Sequence, residues 1–253
     1  MELTWISFLI VCPLVFLGGF VDAIGGGGGL ISLPAYLLAG VPTHMAIATN
    51  KLSSACGTAL STARFIKEKL ISLRMAIPTV IAALVGSFAG ANLSLLASEQ
   101  ILKIVLVPIL FVAAFFVMNK RLFGVSRETD ALMNGRIILI ASIAAFVIGM
   151  YDGFYGPGTG TFLIIVLNVF AHLSIKRANA QTKAINLTTN ITSLSVFIIS
   201  GQVLWVLGFA AALCGMLGNY LGSSLALKNS DKITRPIILI VLVLLLIKVV
   251  MGI

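Results

Sequence analysis

Two aspartates and two lysines stand inside otherwise apolar stretches of this chain. Asp22 precedes a run of glycines, Gly26, Gly27, Gly28 and Gly29, and Asp152 precedes a second glycine-rich stretch with Gly156, Gly158 and Gly160. Lys51 and Lys183 each fall early in the long segment after the break. A charge in such a setting is costly unless it faces a cavity or a partner. The aspartates suit proton coupling or gating, or alternatively a helix cap or a structural ion pair that holds a broken helix. The lysines suit the binding of an anion, or the neutralisation of the aspartates, and both can hold in different states. Thr49, Asn50 and Thr182 adjoin the lysines and offer hydroxyl and amide groups to a bound oxyanion. Asn186 and Asn190, four residues apart on one helix face, serve equally well as glue between helices.

The elements that position these residues follow from the glycines. Gly25 to Gly29 cannot form stable helix interior, since each glycine costs about 1 kcal/mol relative to alanine. A broken backbone at membrane depth is tolerated where it is buried in protein or lines a cavity. The apolar pieces at about 29–40 and 160–171 resume as short helices or half-helices. Their N-termini present free N–H groups and a positive dipole end, which is anion-binding geometry. Close packing through small residues is the competing explanation for the glycines. A P-loop is excluded because no GKS or GKT follows, and no strand pattern supports a dinucleotide-binding turn.

Composition fixes the class. The 253 residues are 59% apolar and only 10% charged, and mean hydropathy is +1.12. Soluble domains are about 45–50% apolar and about 25% charged. A soluble protein and a disordered chain are both excluded, and a polytopic all-α membrane protein remains. Long apolar runs cover about 4–23, 46–66, 73–96, 100–118, 136–151, 178–200, 203–227 and 233–251. Trp5 and Trp205 lie at span ends, where interfacial anchors collect. Pro34, Pro78 and Pro108 mark helix kinks or starts. Cys12, Cys56 and Cys214 form no CxxC and read as small buried hydrophobes. His44 and His172 lie near the ends of the short segments and read as interfacial. No HExxH or GxSxG is present, so neither a metalloprotease nor a serine hydrolase is indicated, and no cofactor or metal is expected. The N-terminal stretch lacks the basic region of a cleavable signal and reads as a retained first helix.

The two halves repeat one another. Asp22 matches Asp152, Ala48-Thr49-Asn50-Lys51 matches Gln181-Thr182-Lys183, Lys69-Leu70 matches Gln202-Val203, and Gly86 and Gly90 match Gly218 and Gly222, with an offset that drifts only from 130 to 133. Residues 1–125 and 126–253 are read as two repeats of one membrane domain, each with four long helices and one short one. Counting the short segment as a crossing gives five per half, which inverts the second half relative to the first. Thirteen of the 17 Lys and Arg residues then fall on one side: Arg64, Lys67, Lys69, Arg74, Lys120, Arg121, Arg127, Arg136, Lys176, Arg177, Lys228, Lys232 and Arg235. Lys103 and Lys248 fall on the other. The net charge of +9 is thereby a topology signal rather than a nucleic-acid footprint, with both termini outside. Reading the short segments as true re-entrants leaves four crossings per half and a poorer charge split.

The stretch Gly19-Phe20-Val21-Asp22-Ala23-Ile24 with its glycines, then Pro34, Gly40-Val41-Pro42 and Ala48-Thr49-Asn50-Lys51, resembles the TauE/SafE sulfite-exporter family of bacterial membrane transporters, in its YfcA-like branch. Asp152-Gly153-Phe154-Tyr155-Gly156-Pro157-Gly158-Thr159-Gly160, Thr182-Lys183 and Gly201-Gln202-Val203 carry the resemblance through the second half. It implies export of small sulfur-containing or organic anions across a bacterial inner membrane, with the lipid bilayer and a small anion as partners and room for a homo-oligomer. An anion uptake carrier, a channel, or a non-transporting membrane scaffold are the alternatives, and the third predicts dry, packed glycine crossings without a polar cavity.

Overall fold

The structure is a computed structural model that describes residues 4–98 and 135–251. Among these the fold is all helix: α1 Trp5–Gly25, α2 Gly29–Leu38, α3 Thr43–Lys67, α4 Leu73–Leu96, α5 Gly135–Phe154, α6 Thr159–Val169, α7 Ile175–Ile199 and α8 Trp205–Met251. The expected span at 100–118 and most of the polar connection after it, with Lys103, Pro108, Lys120, Arg121 and Arg127, lie outside the described residues.

Among the described residues, four stretches are long and apolar enough to cross a membrane: α1, α4, α5 and Trp205–Asn229 of α8. Their outer faces carry exposed large apolar side chains, such as Leu9, Ile81, Ile143 and Leu213. That is the surface a hydrocarbon solvent requires. The helices α3 and α7 have 25 residues each and match the expected runs at 46–66 and 178–200, but they fall short of that apolarity. Their polar side chains, including Thr49, Lys51, Asn179, Thr182 and Lys183, are buried in the protein interior. The expected runs at 203–227 and 233–251 join in α8 across non-helical backbone at Asn229 (φ −138°, ψ 36°).

The chain reverses at the first glycine run. A Cβ at Gly18 would stand 2.9 Å from the Gly28 carbonyl oxygen and 3.3 Å from Ser32 Cβ. Fourteen residues of continuous helix would separate 18 from 32 by about 21 Å, so α2 runs back along α1 as a short antiparallel hairpin. The second half forms the same hairpin, with the Tyr151 and Phe162 rings 5.8 Å apart and the Tyr151 hydroxyl donating to the Pro157 carbonyl at 2.7 Å.

The halves interlock through their first and fourth helices. Gly86 and Gly90 of α4 lie against the Phe146 and Met150 carbonyls of α5, where any Cβ would collide. Gly218 and Gly222 of α8 stand in the same way against the Phe16 and Phe20 carbonyls of α1. Backbone approach of this kind through small residues is how helices associate where solvent supplies no hydrophobic drive. The duplication reaches the turns as well. Leu70 N bonds Phe65 O and Gln202 N bonds Phe197 O, both at 3.0–3.1 Å, behind a positive-φ residue at Lys69 (54°) and Gly201 (70°). These are matching helix ends closed by a left-handed residue.

Candidate functional site

The two hairpin tips meet at the centre of the molecule. Gly26 and Gly27 take φ of 70° and 83°, and Gly156 and Gly158 take 97° and 87°. A Cβ at Gly160 would sit 2.8 Å from Gly26 Cα, and one at Gly26 would collide with the Gly160 backbone. Only glycine permits tips this close. The carbonyls freed where α1 ends are taken by side chains of the second half. Thr161 Oγ1 donates to Gly25 O at 2.9 Å, and Asn179 Nδ2 donates to Ala23 O and Ile24 O at 3.0 Å. This satisfies the groups a helix C-terminus leaves unpaired.

At this crossing the charges pair between halves. Lys51 Nζ lies 2.7 Å from Asp152 Oδ2, and Lys183 Nζ lies 2.7 Å from Asp22 Oδ2. Lys51 also donates to Asn190 Oδ1 at 3.3 Å, and Lys183 also donates to the Asp22 carbonyl. Gly28 N donates weakly to Asp22 Oδ1 at 3.4 Å, so the carboxylate faces the start of α2. In the second half, a Cβ at Gly156 would be 3.0 Å from Asp152 Oδ1 and 3.2 Å from Lys51 Nζ. Each break thus already has a resident carboxylate beside it, neutralised by the other half's lysine. Lys51, Asp152 and Lys183 are buried, and pairing is what makes buried charge tolerable.

A polar cavity opens at the crossing. Of the residues singled out in the sequence, Asp22, Gly27, Gly28, Gly29, Asn50, Lys51, Asp152, Gly156, Gly158 and Gly160 line it, together with Asn186 and Asn190. Gly26, Thr49, Thr182 and Lys183 do not. Gly26 is consumed by the tip contact. The Thr49 hydroxyl accepts from Leu204 N at 3.1 Å, just before α8 begins. Thr182 is buried with no partner for its hydroxyl among the described residues. Lys183 is sealed behind Asp22, and the cavity sees only that pair's carboxylate side.

The sequence reading omitted Ser32, Ser53, Ser54, Thr58, Gly215 and Asn219, which also line the cavity. Ser54 and Thr58 follow Lys51 on α3 at i+3 and i+7, a usable signal, whereas Ser53 at i+2 gives none. Asn219, an amide in a predominantly apolar stretch, between Gly218 and Gly222 on α8, was a usable signal too. Among the described residues no cluster of His, Cys, Asp and Glu could hold a metal ion. His44 Nε2 lies 3.0 Å from Ser94 O, at the far end of α4.

The geometry therefore offers a cation, two carboxylates, several amides and bare glycine backbone around one polar space between two related halves. The Sulfite exporter TauE/SafE family profile matches residues 11–249. The chain belongs to that family. It is 34% identical over 247 residues to a probable membrane transporter, YfcA, of Escherichia coli strain K12, covering 94% of this chain and 90% of that one. A probable membrane transporter of Sinorhizobium, ORF9, is 32% identical over 96% of this chain and 91% of its own. A third, from Haemophilus influenzae, is 31% identical over 89% and 87%. No solved structure matches the chain. Membership of this TauE/SafE family makes the chain a multi-pass membrane protein of a transporter family, in agreement with the four spanning-length apolar helices among the described residues.

Proposed function

We propose that this protein is a secondary transporter that exports a small sulfur-containing or organic anion across a bacterial inner membrane by alternating access. The observation that carries the reading is the pair of crossed Lys–Asp bridges at the meeting point of two helix breaks, one of them inside a polar cavity. In its resting arrangement Lys51 is held by Asp152 and Asn190. An arriving anion competes with Asp152 for Lys51 and for the glycine backbone beside it. The cost of a third negative charge near Asp22 and Asp152 falls when one of these carboxylates takes a proton, which is how the aspartates couple a proton or gate the site. Lys183, bound to both the carboxylate and the carbonyl of Asp22, holds the opposite tip in place. Thr49 then acts by tying α3 to the start of α8.

Residues 1–125 and 126–253 are the two inverted repeats in this reading. Each α1–α2 and α5–α6 hairpin enters and leaves on one face. With three further segments per half, counting 100–118, the crossing number stays odd and the basic loops gather inside. Both termini lie outside. The reciprocal packing of α1 on α8 and α4 on α5 supports a rocking of related units about the crossing.

The test is substrate flux in proteoliposomes. Lys51→Ala and Lys183→Ala are expected to lose sulfite or sulfonate transport, and full activity in both sinks the anion-site reading.

A further inference from the structure

We infer that Asn219 is a specificity-determining residue, reserved for a hydrogen-bond donor at the far end of the anion from its charged head. The inference rests on the anion-site reading above. Asn219 projects from α8 into the cavity and is only 3% exposed. Its Nδ2 donates to Gly215 O one turn back, at 3.0 Å. That bond sets the amide's orientation, because the flipped amide would face acceptor to acceptor. Asn219 Oδ1 then has no donor among the described residues. A buried carbonyl without a donor is costly and rare.

The surroundings are shaped to hold this amide. A Cβ at Gly19 would stand 2.8 Å from Asn219 Nδ2, and one at Gly57 would collide with it. The related position in the first half has the opposite character. Ser87, which follows Gly86 as Asn219 follows Gly218, lies 2.9 Å from Thr189 O and 2.8 Å from Ser193 Oγ. The residue matching Gly57 there is Thr189. One copy of the repeat is satisfied within the protein, and the other leaves the Asn219 carbonyl bare. The cavity thus has the Lys51 cation and the glycine break at one end, where Asn50 Oδ1 and Asn186 Oδ1 also lack a donor among the described residues, and the Asn219 acceptor of α8 at the other. A small sulfonate or carboxylate bearing a hydroxyl or amino group fits both ends. Its unsubstituted analogue leaves the Asn219 carbonyl unpaired. Sites built to hydrogen-bond a substrate hydroxyl reject the analogue lacking it far more strongly than an apolar pocket discriminates.

The experiment compares 2-hydroxyethanesulfonate with ethanesulfonate as thermal stabilisers of the purified full-length protein, in wild type and Asn219→Leu. Wild type is expected to bind the hydroxylated ligand at least about tenfold more tightly. Asn219→Leu is expected to bring the two within about twofold of each other. Equal binding of both ligands to wild type overturns the inference and leaves the anion site standing. Stabilisation by neither overturns the anion-site reading and this inference with it. Stabilisation by sodium over choline that depends on Asn219 assigns the acceptor to a cation and also overturns it. The wild-type comparison needs no variant, and Asn219→Ser, a smaller change, is expected to weaken the preference if Asn219→Leu fails to fold.

Discussion

Lys51 and Asp152 lie 101 residues apart in the chain and 2.7 Å apart in space, and the bond between them joins the two halves inside the cavity. The lysine of each half neutralises the aspartate of the other, so each half depends on its counterpart for the partners of its buried charges. Removing one partner of such a buried bridge strands the other. Lys51→Ala is expected to lower stability by about 3–5 kcal/mol. The double change Lys51→Ala with Asp152→Ala removes both charges and is expected to recover most of that loss, while transport stays lost. Thermal melts of the three proteins in one detergent check the first point, and flux assays check the second. A double variant as unstable as the single one would show that the pair does not act as a unit.

How far the sequence disclosed this arrangement depends on the kind of signal. Helix breaks at the glycines, the short helices behind them and the matching of Gly86 with Gly218 were legible, because glycine runs and spacing are local features. The pairing of Lys51 with Asp152 rather than Asp22 was not, since two lysines and two aspartates allow either pattern and only packing chooses. The polarity of α3 and α7 was underweighted for a similar reason. Counted as apolar runs, they look like the other spans, yet Asn179, Thr182 and Asn190 point inward in the folded chain. Thr49 was misleading as a cavity residue because its match to Thr182 reflects the repeat, whereas its hydroxyl is spent on Leu204 N.

The inverted arrangement predicts opposite exposure for two equivalent turns. Lys69 and Gln202 lie in corresponding turns, where Lys69 and Gly201 are the matching left-handed residues and Leu70 and Gln202 make the same hydrogen bond. With the basic loops inside, Lys69→Cys is expected to react with a membrane-impermeant thiol reagent only in inside-out vesicles, and Gln202→Cys only in intact spheroplasts. The background for both is a variant in which Cys12, Cys56 and Cys214 are changed to Ala. Labelling of both turns from the same face would make the halves parallel and overturn the inverted reading.

The glycine contacts between halves give a prediction that separates packing from chemistry. Gly86 presses on Phe146 O and Gly218 on Phe16 O, so a side chain at either position must push two helices apart. Backbone atoms cannot step aside as a flexible side chain can, and overpacking of this kind costs about 1–3 kcal/mol or more. Gly135 offers the comparison, since a Cβ there meets nothing within 4 Å among the described residues and its backbone begins α5. Gly86→Val and Gly218→Val are each expected to lower the melting temperature and the yield of monodisperse protein, and Gly135→Ala to change neither. Because the two interfaces are related by the repeat, the two valine variants should lose stability by similar amounts. A large loss in one and none in the other would mean that only one of the interfaces holds the halves together, contrary to the reciprocal packing of α1 on α8 and α4 on α5.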